Sequence, residues 1–252
     1  MTHKTPPPMA MVLLPVAAYI DGDAVAEAFR LLAPDAPPLT ARDDRNGNFT
    51  FEHAGETFIA ARMESPIPNG EAEANARYSL SALTSRTPFP PHAEHLVVAA
   101  LGDGKPGIDA QLERLVPFTL LVAALAQTGR AIGVYWGPGH VTHPRDFFVD
   151  SVRTGPGGML TVWTGVSMAR EGQGVSLLTT GLSQFGVLEL MVTSTQPGTA
   201  LGRLFDLASY AVERGAAPAD GDTIGASEQE KLTVRHVPSP SVPGTMVWRV
   251  EL

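Results

Sequence analysis

The chain has no cysteine. That absence removes disulfides, thiolate nucleophiles and cysteine-based zinc sites together, while saying nothing about compartment. Charged residues are scarce as well, at 17% of the chain. Long apolar runs are also missing. The longest helical one, LVPFTLLVAALAQ over residues 115–127, falls well short of the roughly 20 residues that a membrane span needs. Near the N-terminus, the apolar stretch over residues 9–20 is interrupted by Pro15 and has no clean small-residue cleavage site, so it makes a poor secretory signal. The expectation is a cytoplasmic protein without membrane contact.

What is present is globular in character. The 252 residues are 44% hydrophobic and include 25 glycines and 22 prolines. A chain of this length buries a sizeable core without metals or disulfides, as one large domain or two small fused ones. Its formal charge of −8 is spread evenly along the sequence. Such a surface repels phosphate backbones, which argues against a nucleic-acid partner, and it favours basic partners or plain solubility.

Along the chain, residues 1–9 read as a disordered tail and MAMVLLPV as a buried strand. DGDAVAEAFRLLAPD predicts a helix capped by Asp21 or Asp23, with Val25, Phe29 and Leu32 on one face. NFTFEHAGETFIAARM predicts a hairpin turning at Ala54-Gly55. Prolines bracket residues 65–91, where NGEAEANARYSLSAL offers one modest helix. EHLVVAAL, a helix over 108–127 and AIGVYWG then suit a parallel β-α-β crossover. HPRDFFVDSVRTG predicts a helix with Pro144 at its first position. LTVWTGVSMARE and VSLLTTGLSQF predict a second hairpin across Gly172-Gln173-Gly174, followed by a strand in VLELMVTST. A last helix over 199–214 stops at Gly215, and KLTVRHV and TMVWRVEL close the chain as strands. These orders predict an α+β fold of two fused α/β-sandwich-like units, helices packed on mixed or antiparallel sheets. The expected division is a tail over 1–9, an N-terminal unit over 10–90 and a C-terminal unit over 91–252.

Most motifs with chemical content fail on spacing. His92 with His95, and His140 with His143, are close pairs. Neither has the i, i+4 spacing of a zinc helix or an evident carboxylate as third ligand, so loop histidines are expected and no metal. In TTGLSQFG, Gly186 stands one place too late for a nucleophile elbow around Ser183. GDGKPG lacks the span, and the hydroxyl after Lys105, that a phosphate loop requires. DGDTIGASEQEK opens like a calcium loop, but Ile224 occupies a ligand position and Lys231 replaces the bidentate glutamate. Its acidic residues, Asp220, Asp222, Glu228 and Glu230, remain as an anionic patch on a polar loop. Trp163 and Trp248 sit in strand-like runs where core packing is the default. Trp136, which precedes the glycine-rich WGPGH turn, is the aromatic placed to anchor a partner.

The segments GVYWGPGHVTHPRDFF, TTGLSQFGVLELMV, LFDLASYAVERG and DGDTIGASEQEKLTVRHVPSPSVPGTMVWRVEL are similar in order and wording to the bacterial family catalogued as domain of unknown function 4261. The resemblance is strongest from about residue 94 to the end, and the DGDTIG block with Arg235-His236 is its most specific element. It implies no activity and carries over no catalytic residue. It makes a toxin-neutralising role thinkable by association with that kind of family.

Two functions are expected to compete. The first is a non-catalytic protein-binding protein, an immunity or adaptor protein that covers a basic, toxin-like partner. Trp136, Asp220, Asp222, Glu228 and Glu230 would be the contact residues, and no cofactor is needed. The second is a hydrolase-like enzyme in a cleft between the two units, with His143 or His236 as acid or base and Asp222 orienting it.

Overall fold

The computed structural model describes residues 7–16, 18–43, 47–83, 85, 87–105, 107–225, 227 and 230–252. Most of the expected tail, residues 1–6, lies outside these. Met9 is no longer tail: it opens strand β1 (Met9–Leu14), opposite Ala99. The chain divides into two compact units, Pro6–Trp163 and Thr164–Leu252.

In the first unit, helix α1 (Gly22–Leu32) follows β1. The Asp21 carboxylate accepts the backbone N–H of Ala24 at 2.8 Å, which satisfies one of the orphan amides of the first turn. Strands β2 (Thr40–Asp43), β3 (Phe49–His53) and β4 (Glu56–Met63) come next. The β3–β4 turn is the Ala54-Gly55 pair, with φ of 48° and 85°. Both are left-handed, as the two-residue type I′ turn requires. The remaining elements of the unit are α2 (Glu71–Asn75), β5 (Glu94–Ala100), α3 (Ile108–Thr128), β6 (Gly133–Trp136), β7 (Val141–Pro144), α4 (Arg145–Arg153) and α5 (Pro156–Trp163).

Seven strands form one sheet in the order β2-β3-β4-β5-β1-β6-β7, and every neighbouring pair is antiparallel. Strands β5 and β6 both run opposite to β1, so they are parallel to each other. The expected crossover through α3 is there, but β1 lies between its two strands. This pairing also moves the expected unit boundary. β1 binds β5 on one side and β6 on the other, so a cut at residue 90 would split a continuous hydrogen-bonded sheet, and the boundary falls at Trp163 instead.

The sheet is buried on both faces around β1, with a period of two. Ala10, Val12 and Leu14 face the helices together with Val134 and Trp136, and all five are fully buried. Helix α3 is the centre of that layer, and residues 120–126 are buried on every side between the sheet and neighbouring helices. On the other face, Leu13 and Tyr135 pack with Ile67 and Ala72, flanked by Met11 and Phe89. The proline-bracketed segment of residues 67–91 therefore forms a third layer at this end of the sheet.

Within that segment the expected helix breaks up. Only α2 is α-helical, followed by 3₁₀ turns at Ala76–Tyr78 and Leu80–Leu83. Its mostly alanine apolar positions give a long helix no stripe to bury. LTVW also departs from expectation: it ends helix α5 rather than opening a strand. Gly155, at φ 85°, stops α4, and Pro156 starts α5 directly after it. Pro144 is the N-cap of α4, one place earlier than expected.

The second unit holds β8 (Gly165–Glu171), β9 (Gly174–Thr180), β10 (Glu189–Ser194), α6 (Pro197–Arg214), β11 (Thr223–Ile224), β12 (Leu232–Thr233), β13 (Arg235–Pro238) and β14 (Met246–Glu251). Its main sheet runs β13-β14-β10-β9-β8 and is mixed, because β10 and β14 are parallel. The expected hairpin joins β8 to β9 through Gly172-Gln173, with Gly172 at φ 57°. Helix α6 packs on β9 and β10 and ends at left-handed Gly215, as its sequence predicts. Both units are thus helices on sheets, one antiparallel and one mixed, and the fold is α+β.

Candidate functional site

The first unit carries a groove of about 690 Å³ along the third layer. Its walls include Glu73, Arg77, Ser81, Phe89, Ile132 and Pro144. Alanine, proline and aromatic carbons make up much of the lining, with hydroxyls and one cation among them. A mostly apolar concavity with a few polar groups is the ordinary form of a binding site.

Polar residues of the third layer and the sheet form three hydrogen-bonded sets, of which the first and third reach the groove through Glu73 and Ser81. In the first, His92 is enclosed and its Nε2 accepts the backbone N–H of Ile67 at 2.7 Å. The proton must then sit on Nδ1, which donates to Glu73 Oε1 at 2.7 Å. Burial would raise the Glu73 carboxyl, but bonds from its own backbone N–H and from His92 outweigh that and hold it below the ordinary value. Neighbouring His95 bonds the Ser65 carbonyl through Nδ1 at 2.8 Å, and burial lowers its pKa.

In the second set, the Tyr135 hydroxyl donates to Glu71 Oε1 at 2.6 Å and lies 3.3 Å from His140 Nδ1. Burial and the adjacent Glu71 carboxylate push this phenol well above the ordinary tyrosine value. The third set joins His143 Nδ1 to Ser79 Oγ at 2.8 Å, and Ser79 Oγ to Ser81 Oγ, also at 2.8 Å. His143 Nε2 lies 3.1 Å from the Val162 carbonyl. His143 is completely buried, and desolvation drives its pKa down to about 3, against a smaller raising effect of the Val162 bond. It is a neutral imidazole.

Several expected site residues change role. Trp136 is not a partner anchor: it is fully buried on the helix face, edge-to-face with Phe118 at 5.7 Å and near Phe148. The strand period explains this, because Tyr135, one place earlier, is the residue that turns towards the third layer. The three residues expected to do acid–base work are divided between the two units. His143 belongs to the first unit and has both ring nitrogens engaged within it. Asp222 and His236 belong to the second, where Asp222 Oδ2 accepts the Ala219 N–H at 2.8 Å and His236 Nε2 bonds the Pro218 carbonyl at 2.8 Å. Neither side chain bonds the other.

Two more of the acidic residues have partners. Asp220 Oδ1 accepts the His236 backbone N–H at 2.8 Å, and Glu230 pairs with Arg203 of α6 at 2.7 Å. Asp220 and Asp222 stay exposed. Glu228 lies outside the described residues. Among the described residues no group of three or more His, Asp or Glu is placed to hold a metal, and no helix is long and apolar enough to cross a membrane.

Sequence reasoning missed Ser79, Ser81, Glu71, Glu73 and Tyr135. The available signal was the alternation of β6, which sends Tyr135 and Trp136 to opposite faces. No local pattern pointed to the serines, because their histidine partner is 64 residues away.

These features define an α+β protein with an open groove in its first unit. The family model described as Domain of unknown function (DUF4261) matches residues 178–251, from β9 to the end of β14, and the chain resembles that family there. The match lies inside the stretch of similar wording and is shorter than it. No curated protein and no solved structure matches the chain.

Proposed function

We propose that the protein acts by binding another protein in a bacterial cytoplasm, as an immunity or adaptor protein whose partner presents a basic contact surface. The observation that carries this reading is the groove of about 690 Å³, with its mostly apolar walls. The net charge of −8 supports the sign of the partner. So do Asp220 and Asp222, which are exposed while each accepts a backbone N–H. The histidines expected to do acid–base work, His143 and His236, are tied into hydrogen bonds within their own units, which favours binding over general acid–base chemistry.

The test is a tagged pull-down from the native cell at low and high salt, read by mass spectrometry, with Phe89→Ala as the groove variant. A stoichiometric basic protein that leaves as salt rises, and is held more weakly by the Phe89→Ala chain, is the expected result. Recovery of the bare protein under both conditions would sink the reading.

A further inference from the structure

Glu73 is the one carboxylate among the described residues that line the groove. His92 donates to its Oε1 twice, from Nδ1 at 2.7 Å and from the backbone N–H at 3.2 Å. Because His92 Nε2 accepts the Ile67 N–H, the ring holds a single proton and no charge. A neutral donor therefore fixes the Glu73 carboxylate in place without neutralising it.

The groove's own cation does not neutralise it either. Arg77 stands four residues after Glu73, the spacing at which an α-helix pairs opposite charges. Helix α2 ends at Asn75, however, and the 3₁₀ turn that follows carries Arg77 off that spacing. Arg77 turns to its neighbour instead: Nη2 donates to the Tyr78 hydroxyl at 2.7 Å, and the guanidinium lies over the Tyr78 ring, 4.7 Å from its centre. Among the described residues, no lysine or arginine forms an ion pair with Glu73.

A fixed anion, 25% exposed, thus stands on walls made largely of carbon, including Phe89, Ile132 and Pro90. The complement of such a surface is an apolar stem that ends in one positive charge. Oε1 already accepts two N–H groups and Oε2 is enclosed, so the carboxylate presents no open edge for the two-pronged bond of a guanidinium. What it offers is charge, which a compact ammonium matches. Resting on the binding role proposed above, we infer that the groove seats one lysine of the partner, carried in an apolar segment, with its hydrocarbon stem along Phe89 and Ile132 and its ammonium beside Glu73. Burial of the stem supplies affinity, and Glu73 selects lysine over an uncharged residue of the same length.

The test uses the full chain and two synthetic peptides, acetyl-Leu-Lys-Leu-amide and its norleucine analogue, which keeps the stem and lacks the ammonium. Binding is followed by NMR on the resonances of Phe89 and Ile132. The lysine peptide is expected to bind about 5-fold more tightly than the norleucine peptide, with an advantage that shrinks as salt rises. In Glu73→Gln, which keeps an oxygen for His92 and removes the charge, the two peptides should bind alike. Equal binding of the two by the parent chain overturns the inference, as does an advantage that Glu73→Gln preserves. So does n-butylammonium binding as tightly as the lysine peptide, because the occupant is then a free amine. Circular dichroism checks the fold of the variant, and if Glu73→Gln does not fold, the comparison on the parent chain decides. In the pull-down, a basic partner retained by the Glu73→Gln chain as firmly as by the parent overturns the lysine seat and leaves the binding role standing, whereas recovery of the bare protein sinks both.

Discussion

Glu189 Oε1 accepts the backbone N–H of Ser183 at 3.0 Å, which ties the start of β10 to the turn that precedes it. The same oxygen accepts Gly181 N–H at 2.9 Å, while Oε2 accepts Leu182 N–H at 3.2 Å and the Thr179 hydroxyl at 2.8 Å. One carboxylate thus organises the 3₁₀ turn Leu182–Phe185. This explains why GLSQFG carries no nucleophile elbow: its amides face an internal anion, and Ser183 is part of the cradle.

Replacing Glu189 with Ala removes four acceptor contacts at once. The expected cost is about 3 kcal/mol, from hydrogen bonds to a charged group in a part-buried site. Glu189→Gln should also destabilise, by about 1–2 kcal/mol, because its NH₂ group faces donors. Urea unfolding of both variants against the parent checks the order, and equal midpoints for all three would contradict it.

His143 makes stability depend on pH. The folded group, with its pKa lowered to about 3, stays neutral where an unfolded histidine near 6.5 takes up a proton. The unfolded chain therefore binds more protons between those values. Stability is full above about 6.5 and falls as pH drops towards 3, by at most about 1.4 kcal/mol per pH unit from this residue. Burial lowers His53 and His95 as well, so they act in the same direction. Glu73, also lowered, adds a loss below its ordinary value of 4.5. Urea midpoints measured from about pH 7.5 to about pH 5 should decline steadily. A flat profile would show that His143 is not buried in the neutral form.

Gly133 sits where β6 passes closest to β7 and to the third layer. A Cβ there would lie 2.3 Å from the His143 carbonyl oxygen and 2.6 Å from the Phe89 ring. Backbone on one side and an aromatic on the other leave no room to relax. Gly133→Ala should cost about 2–3 kcal/mol through overpacking and splay the groove wall at Phe89. Thermal unfolding reads the first effect, and loss of the Phe89-dependent partner affinity reads the second.

Tyr135 is expected to ionise above the ordinary tyrosine range. Burial and the Glu71 carboxylate both raise its pKa above the ordinary 10.0. In an alkaline absorbance titration, Tyr135→Phe should remove a step above that range and leave the earlier part of the curve in place. Loss of an early step instead would mean that the Tyr135–Glu71 bond does not hold in solution.

The α+β class, the Ala54-Gly55 hairpin, the Asp21 cap and the Gly215 stop were legible because each depends on a few adjacent residues: two left-handed positions, one carboxylate beside a free amide, one glycine past a helix end. The absence of thiol chemistry followed from composition alone. The unit boundary was not legible, because nothing local states that β1 pairs with strands 80 or more residues further on. The side to which Trp136 points was fixed by which neighbour of β6 met the helices, and LTVW became a helix because Gly155-Pro156 and the packing of α5 against α3 and α4 outweighed its strand-like composition. Local chemistry in this sequence determined turns, caps and class. Only the tertiary structure brought Ser81, Ser79 and His143 into one chain, because a hydrogen bond needs an approach of about 3 Å and sequence separation carries no information about distance in a folded core.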